Sequence, residues 1–99
     1  MYKTIMVSLD GSPFSEGALP LAVRLAERTG SDLHLVTVVE PVSSFTSSNW
    51  EEATRVWGEV YLENVAERLR GNFPGKVSTT LAEGSPTQAL SDEARRVGA

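Results

Sequence analysis

The sequence has no cysteine and a single histidine among its 99 residues. Without thiols there is no disulfide framework, no thiolate metal site and no cysteine nucleophile. The one imidazole, His34, has no second histidine with which to build a metal cluster or a catalytic pair. In an apolar stretch it reads as a packed residue, and no role is assigned to it. Positive charge is also short. Nine Lys and Arg against thirteen Asp and Glu leave a net charge of -4, with a pI near 4.9. The basic footprint that holds a phosphate backbone is missing, which argues against nucleic acid as a partner. Apolar runs are brief: "MYKTIMVSLD" turns polar after one of them, before it could serve as a signal peptide or a membrane span. A cytoplasmic location with no membrane contact is expected. The glycines stand singly, so no stretch has the spacing of a phosphate-cradling loop.

What is present is the composition of one globular domain, 40% hydrophobic and 22% charged. A chain this short buries only about two-thirds of the surface its unfolded form exposes, so association with a second copy is a natural source of added stability.

Residues 4–9, "TIMVSL", form an apolar, β-prone run that stops at "DGSP", which predicts a strand. Phe14, Ala18, Leu21, Ala22 and Leu25 then recur at three- and four-residue spacing, predicting an amphipathic helix that Gly30 ends. Pro20 lies inside that pattern and predicts a kink or a frayed first half. "DLHLVTVVE", residues 32–40, is apolar on both faces and predicts a strand buried on both sides. "PVSSFTSSN" predicts a mobile loop over 41–49, and Ser43 to Ser48 read as plain flexible chain rather than as a phosphorylation cluster.

From Trp50 to Arg70, the positions Trp50, Ala53, Val56, Trp57, Val60, Val65, Ala66 and Leu69 predict the longest helix, with Gly71 as its stop. Trp50 and Trp57 are expected in the core or an interface. Glu51, Glu52, Glu59, Glu63 and Glu67 are expected on a solvated face. "KVSTTLAE", residues 76–83, alternates in the manner of an edge strand.

An acid followed by Gly-Ser-Pro is written twice, at Asp10–Pro13 and Glu83–Pro86. At each place a strand must end and a helix begin at once. Ser12 and Ser85 are placed to cap the helices, and Pro13 and Pro86 fit the first helical position, where a missing N–H loses nothing. Gln88 is placed to complete a capping box with Ser85. Strands alternating with helices imply an open parallel sheet with right-handed crossovers, and both junctions lie at its carboxyl edge, where such folds bind ligands. Asp10 also has a plain reading as a turn residue that bonds nearby amides.

"YKTIMVSLDGSPFSEGALPLAVRLAERTGSDLHLVTVVE" and "LAEGSPTQALSDEARRVGA" resemble the universal stress protein family, and the likeness covers nearly the whole chain. The resemblance implies a Rossmann-like α/β fold of the adenine nucleotide alpha hydrolase-like type, here about three strands and three helices, with a strand order running 3-2-1. It also implies an adenine-nucleotide site, with ATP as the ligand. Asp10, Gly11 and Ser12 at the end of the first strand, and Val38 or Val39 at the end of the second, would approach the base or ribose. Family members continue into a fourth strand, a glycine-rich phosphate loop, a fourth helix and a fifth strand, and the sequence here stops before them.

Two functions are therefore expected. One is a regulatory or adaptor protein of the stress response with at most a residual adenine-nucleotide half-site. The other is a pure protein-interaction module that binds no nucleotide. An enzyme is not expected, since no carboxylate pair and no nucleophile with a base stands at workable spacing. The first strand, residues 3–9, is apolar and unprotected for an edge, which predicts a homodimer or higher oligomer formed through it.

Overall fold

The computed structural model describes residues 3–39 and 48–99, with backbone only for 48–52. Three strands, β1 (Thr4–Ser8), β2 (Asp32–Val39) and β3 (Val77–Glu83), form a parallel sheet in the order β1-β2-β3. The helices between them are α1 (Pro13–Glu16), α2 (Leu19–Thr29), α3 (Ser48–Arg70) and α4 (Pro86–Val97). β1 and β3 are thus the two edges and β2 the centre. β2 is accordingly buried along most of its length, as its two-sided apolar pattern predicts. The predicted mobile loop over 41–49 falls mostly outside the described residues, and its last two positions belong to α3.

Strand alternation divides the side chains between two layers. Ile5, Val7, Leu33, Leu35, Val77 and Leu81 join Leu19, Ala26, Leu62, Val65 and Ala66 in one core under α2 and α3. Leu33, Leu35, Val65 and Ala66 are essentially fully buried, each of the larger ones contributing about 1.5–3 kcal/mol. The other face carries Met6, His34, Val36, Ser78 and Thr80 and meets α4.

Helix phase departs from the sequence pattern in two places. The first predicted helix breaks at Gly17–Ala18, and Pro20 sits in the opening turn of α2. There its missing N–H has no helical partner to lose, so the break replaces the expected kink. Restarting the helix rotates its apolar stripe: Leu19 and Ala26 face inward while Leu21 is 71% and Phe14 94% exposed. In α3 the inward stripe is Leu62, Val65, Ala66 and Leu69. Val56, Trp57 and Val60 are about half exposed, because the five-residue step from Val60 to Val65 turns the stripe by about 140°. Gly30 closes α2 in the left-handed conformation, φ 68°. Gly71 follows α3 without adopting that conformation. Among the described residues, no helix is long and apolar enough to cross a membrane.

Candidate functional site

The carboxyl edge of the sheet is where β1 runs into Asp10. One oxygen of Asp10, Oδ1, accepts the Ser12 amide at 2.9 Å and the Ser12 hydroxyl at 2.6 Å. These bonds, chiefly the one from the Ser12 side chain, hold the Asp10 carboxyl down to about 2. Ser12 Oγ in turn accepts the Ser15 amide at 3.1 Å as the cap of α1, and Ser15 Oγ donates back to the Ser12 carbonyl. The turn-residue reading of Asp10 is therefore realised. Its exposed carboxylate stays ionised, and its second oxygen takes no part in these bonds.

α3 braces this turn. Gly11 has φ +88°, and a Cβ there would lie 2.8 Å from the Trp57 ring, so only glycine fits both the backbone and the contact. Trp57 stacks on Tyr61 with centroids 5.3 Å apart and planes parallel to within 1°. Tyr61 donates its hydroxyl to Glu16 Oε2 at 2.8 Å, and Arg68 pairs with the other Glu16 oxygen. Burial and the Glu16 carboxylate push the Tyr61 hydroxyl up to about 12, so it remains a donor. The sequence placed Trp57 in the core or an interface. It is half-exposed and so not in the core, and its ring lies against the candidate turn.

Val38 and Val39 end β2 at the same edge. The ladder between β1 and β2 closes with the Leu9 amide on the Val36 carbonyl, so Val38 lies beyond it. The Val39 carbonyl is taken by the Gly84 amide at 3.2 Å. Asp10, Gly11 and Ser12 thus form one rigid turn, and Val38 and Val39 differ in what their backbones have left to offer.

A second polar cluster lies on the opposite face, and sequence reasoning missed it. His34 is 3% and Glu93 7% exposed. His34 Nδ1 is 2.6 Å from Ser78 Oγ and Nε2 is 2.7 Å from Glu93 Oε2. Arg96 donates to both Glu93 oxygens and also to Thr80 Oγ1. Led by Arg96 and helped by His34, these bonds hold the Glu93 carboxyl down to about 2 despite its burial. The cluster gathers residues 44 and 59 positions apart, a separation no local spacing encodes. The available signal was parity: His34 and Ser78 stand in register on adjacent strands and so share a face.

Ser85 caps α4 in extended conformation with Pro86 after it, but its side chain makes no cap bond. Gln88 turns away to Asp92 at 2.8 Å, so the predicted capping box does not form. Gln88 satisfies its amide along the helix face, at the i+4 position, in place of reaching back to the turn.

A family model described as the Universal stress protein family matches residues 1–99. A protein of that family from Burkholderia pseudomallei superposes with a TM-score of 0.85 at 28% identity, covering 99% of this chain and 76% of that one. UspA from Lactobacillus plantarum gives 0.82 at 21% identity, over 96% and 70% of the two chains. A universal stress protein solved in complex with cAMP gives 0.73 at 23%, over 98% and 71%. No curated protein matched. With its parallel three-stranded sheet, its Asp10–Pro13 junction and a family match along its whole length, the chain belongs to the universal stress protein family.

Proposed function

We propose that this chain is a cytoplasmic regulatory protein of the stress response that reads the adenosine portion of a nucleotide as a signal and does not consume it. The observation that carries this reading is the Asp10 turn. An exposed, ionised carboxylate is fixed by Ser12 through one oxygen at the carboxyl edge of the sheet, where it can accept ribose hydroxyls. Gly11 and Ser12 hold that carboxylate in place, and Val38, which lies beyond the β1–β2 ladder beside Val39 at the end of β2, supplies main-chain groups for a base edge. The complex with cAMP shows that this fold accommodates an adenine nucleotide elsewhere in the family. A triphosphate requires oriented amides or cations to replace its water, and the sequence offers no glycine-rich loop to provide them. ATP and adenosine are therefore expected to bind with similar, weak affinity, and Asp10→Ala to abolish both. Calorimetric titration of each ligand checks this. ATP binding more than tenfold tighter than adenosine, or binding unchanged in Asp10→Ala, overturns it.

A second reading, protein interaction through the first strand, is favoured by the sheet's edge. β1 pairs with β2 on one side only among the described residues, and Ile5 and Met6 beside that edge are only partly buried. Ladder parity points the amides of Thr4, Met6 and Ser8 outward, ready for a strand of a second copy. Val7 is buried, so a charge there would test the core instead of the edge. Ser8 is exposed, and Ser8→Pro removes an outward N–H without touching the ladder. Sedimentation should show a wild-type dimer and a Ser8→Pro monomer. A monomeric wild type excludes this reading.

A further inference from the structure

The cluster on the α4 face has the connectivity of a nucleophile, a base and an orienting acid. Glu93 is ionised and accepts from Arg96, so it can only accept from the imidazole as well. In neutral His34 the proton therefore resides on Nε2, facing Glu93, and Nδ1 is bare. At 2.6 Å that bare nitrogen is the acceptor for the Ser78 hydroxyl. Ser78 itself is exposed on an edge strand, while its base is 3% exposed and held from behind.

A hydrogen-bond donor for developing negative charge stands next to it. The Lys76 carbonyl accepts from the Leu33 amide and the Gly84 amide donates to the Val39 carbonyl, which fixes the ladder's parity. Ser78 and Thr80 thereby turn their main-chain groups to β2, and the Thr79 amide points out of the free edge. It has no backbone partner among the described residues.

We propose that Ser78 is an acyl-acceptor site, at which His34 takes the hydroxyl proton and Ser78 Oγ attacks an activated acyl donor such as an aryl ester or a thioester. The Oγ–carbon bond forms, charge gathers on the carbonyl oxygen beside the Thr79 amide, and the bond to the leaving group breaks. The proton passes from Oγ to Nδ1 and then to the departing oxygen or sulfur or to water. Glu93 is a positioning residue that fixes the tautomer and stabilises the imidazolium. Arg96 shares the Glu93 carboxylate and weakens its pull on the imidazole. The strand rim is open and holds no substrate in place. Both features restrict the reaction to good leaving groups and exclude amides. This inference stands apart from nucleotide reading, since it uses the opposite face of the sheet.

The test is brief treatment of the full chain with p-nitrophenyl acetate, followed by peptide mass spectrometry. Ser78 should be acetylated at least about tenfold faster than Ser8 and Ser91, both also exposed, and His34→Gln should remove most of that advantage. Should His34→Gln fail to fold, nitrogen NMR on the wild type still decides, because His34 is the only histidine. The expected signature is a bare Nδ1 and a protonated Nε2, lost in Glu93→Gln. Acetylation of Ser78 no faster than Ser91, or a proton on Nδ1 in the neutral ring, overturns the proposal.

Discussion

Asp10–Pro13 and Glu83–Pro86 share three letters and a place in the fold, yet they are built differently. At the first, the short Asp side chain reaches the amide and hydroxyl of Ser12, Ser12 caps the helix through Ser15, and Ser15 returns a bond to the Ser12 carbonyl. At the second, the longer Glu83 leaves the turn to pair with Arg55 of α3, Ser85 caps without a side-chain bond, and Gln88 bonds down the helix. Gly-Ser-Pro specifies where a helix starts. The acid before it and the residue three after the serine determine whether that start is locked. At the first junction the ionised group stays bonded within its own turn at the carboxyl edge, whereas at the second it is drawn off to Arg55.

The largest effect should come from the two glycines. Gly11→Ala forces a φ of +88° on an L-residue and drives a methyl into the Trp57 ring, whereas Gly84→Ala meets a φ of +131° with nothing within 4 Å. Backbone strain alone is about 1–3 kcal/mol at each site. Displacing the ring should place Gly11→Ala at the upper end and alter the near-ultraviolet circular dichroism of the Trp57–Tyr61 stack. A greater loss at Gly84, or an unchanged aromatic signal in Gly11→Ala, would break the comparison.

Next come the serines. Ser12→Ala removes a bonded cap and should cost about 1 kcal/mol, while Ser85→Ala should cost only a few tenths. Urea denaturation of both variants beside the wild type checks the difference, and equal losses would mean that the side-chain bond at Ser12 contributes nothing.

How much of this was legible in the sequence follows the same division. The three strands, their parallel alternation with helices, the two junctions and the stop at Gly30 were visible, because each is dictated by local chemistry or by two-residue alternation, whereas the strand order followed from the family resemblance alone. The Asp10–Ser12–Ser15 lock was half visible: Ser12 was read as a cap, but nothing in "DGSP" shows which acid will close on it. The capping box at Gln88 was misread because the motif does not reveal a competing Asp92 one helical turn on. The inward faces of α2 and α3 were misassigned where one break and one five-residue step rotated the stripe. His34, Ser78 and Glu93 were invisible as a group, since the sheet register and the return of α4 are what bring them together.

A smaller effect is expected from pH. The Asp10 carboxyl is lowered to about 2 in the folded chain, against about 3.9 when unfolded. A lowered folded value means that its contribution is complete above about 4 and is lost as pH falls through about 2. The Ser12 amide resonance should follow that titration by NMR, and Asp10→Asn should flatten it. A midpoint near 4 for the wild type would show that Ser12 does not hold the carboxylate in solution.

The smallest effect, and the most direct test of what makes the two junctions differ, is to rebuild the second in the image of the first. Glu83→Asp shortens the acid so that it can close on Ser85, and Gln88→Ser supplies the partner that Ser15 gives to Ser12. A formed cap should add about 1 kcal/mol. Serine in the helix costs a few tenths relative to glutamine, and losing the exposed Arg55 pair removes at most about as much again. The net change in the double variant should stay within about 0.5 kcal/mol of zero, and global stability is a poor reporter of so small a difference. Amide exchange is the better one. The amide of residue 88 should slow in the double variant, because it now donates to Ser85 Oγ, while either single change alone leaves it fast. Slowing in Gln88→Ser alone would mean that the acid is irrelevant and that the third helical residue by itself locks the turn.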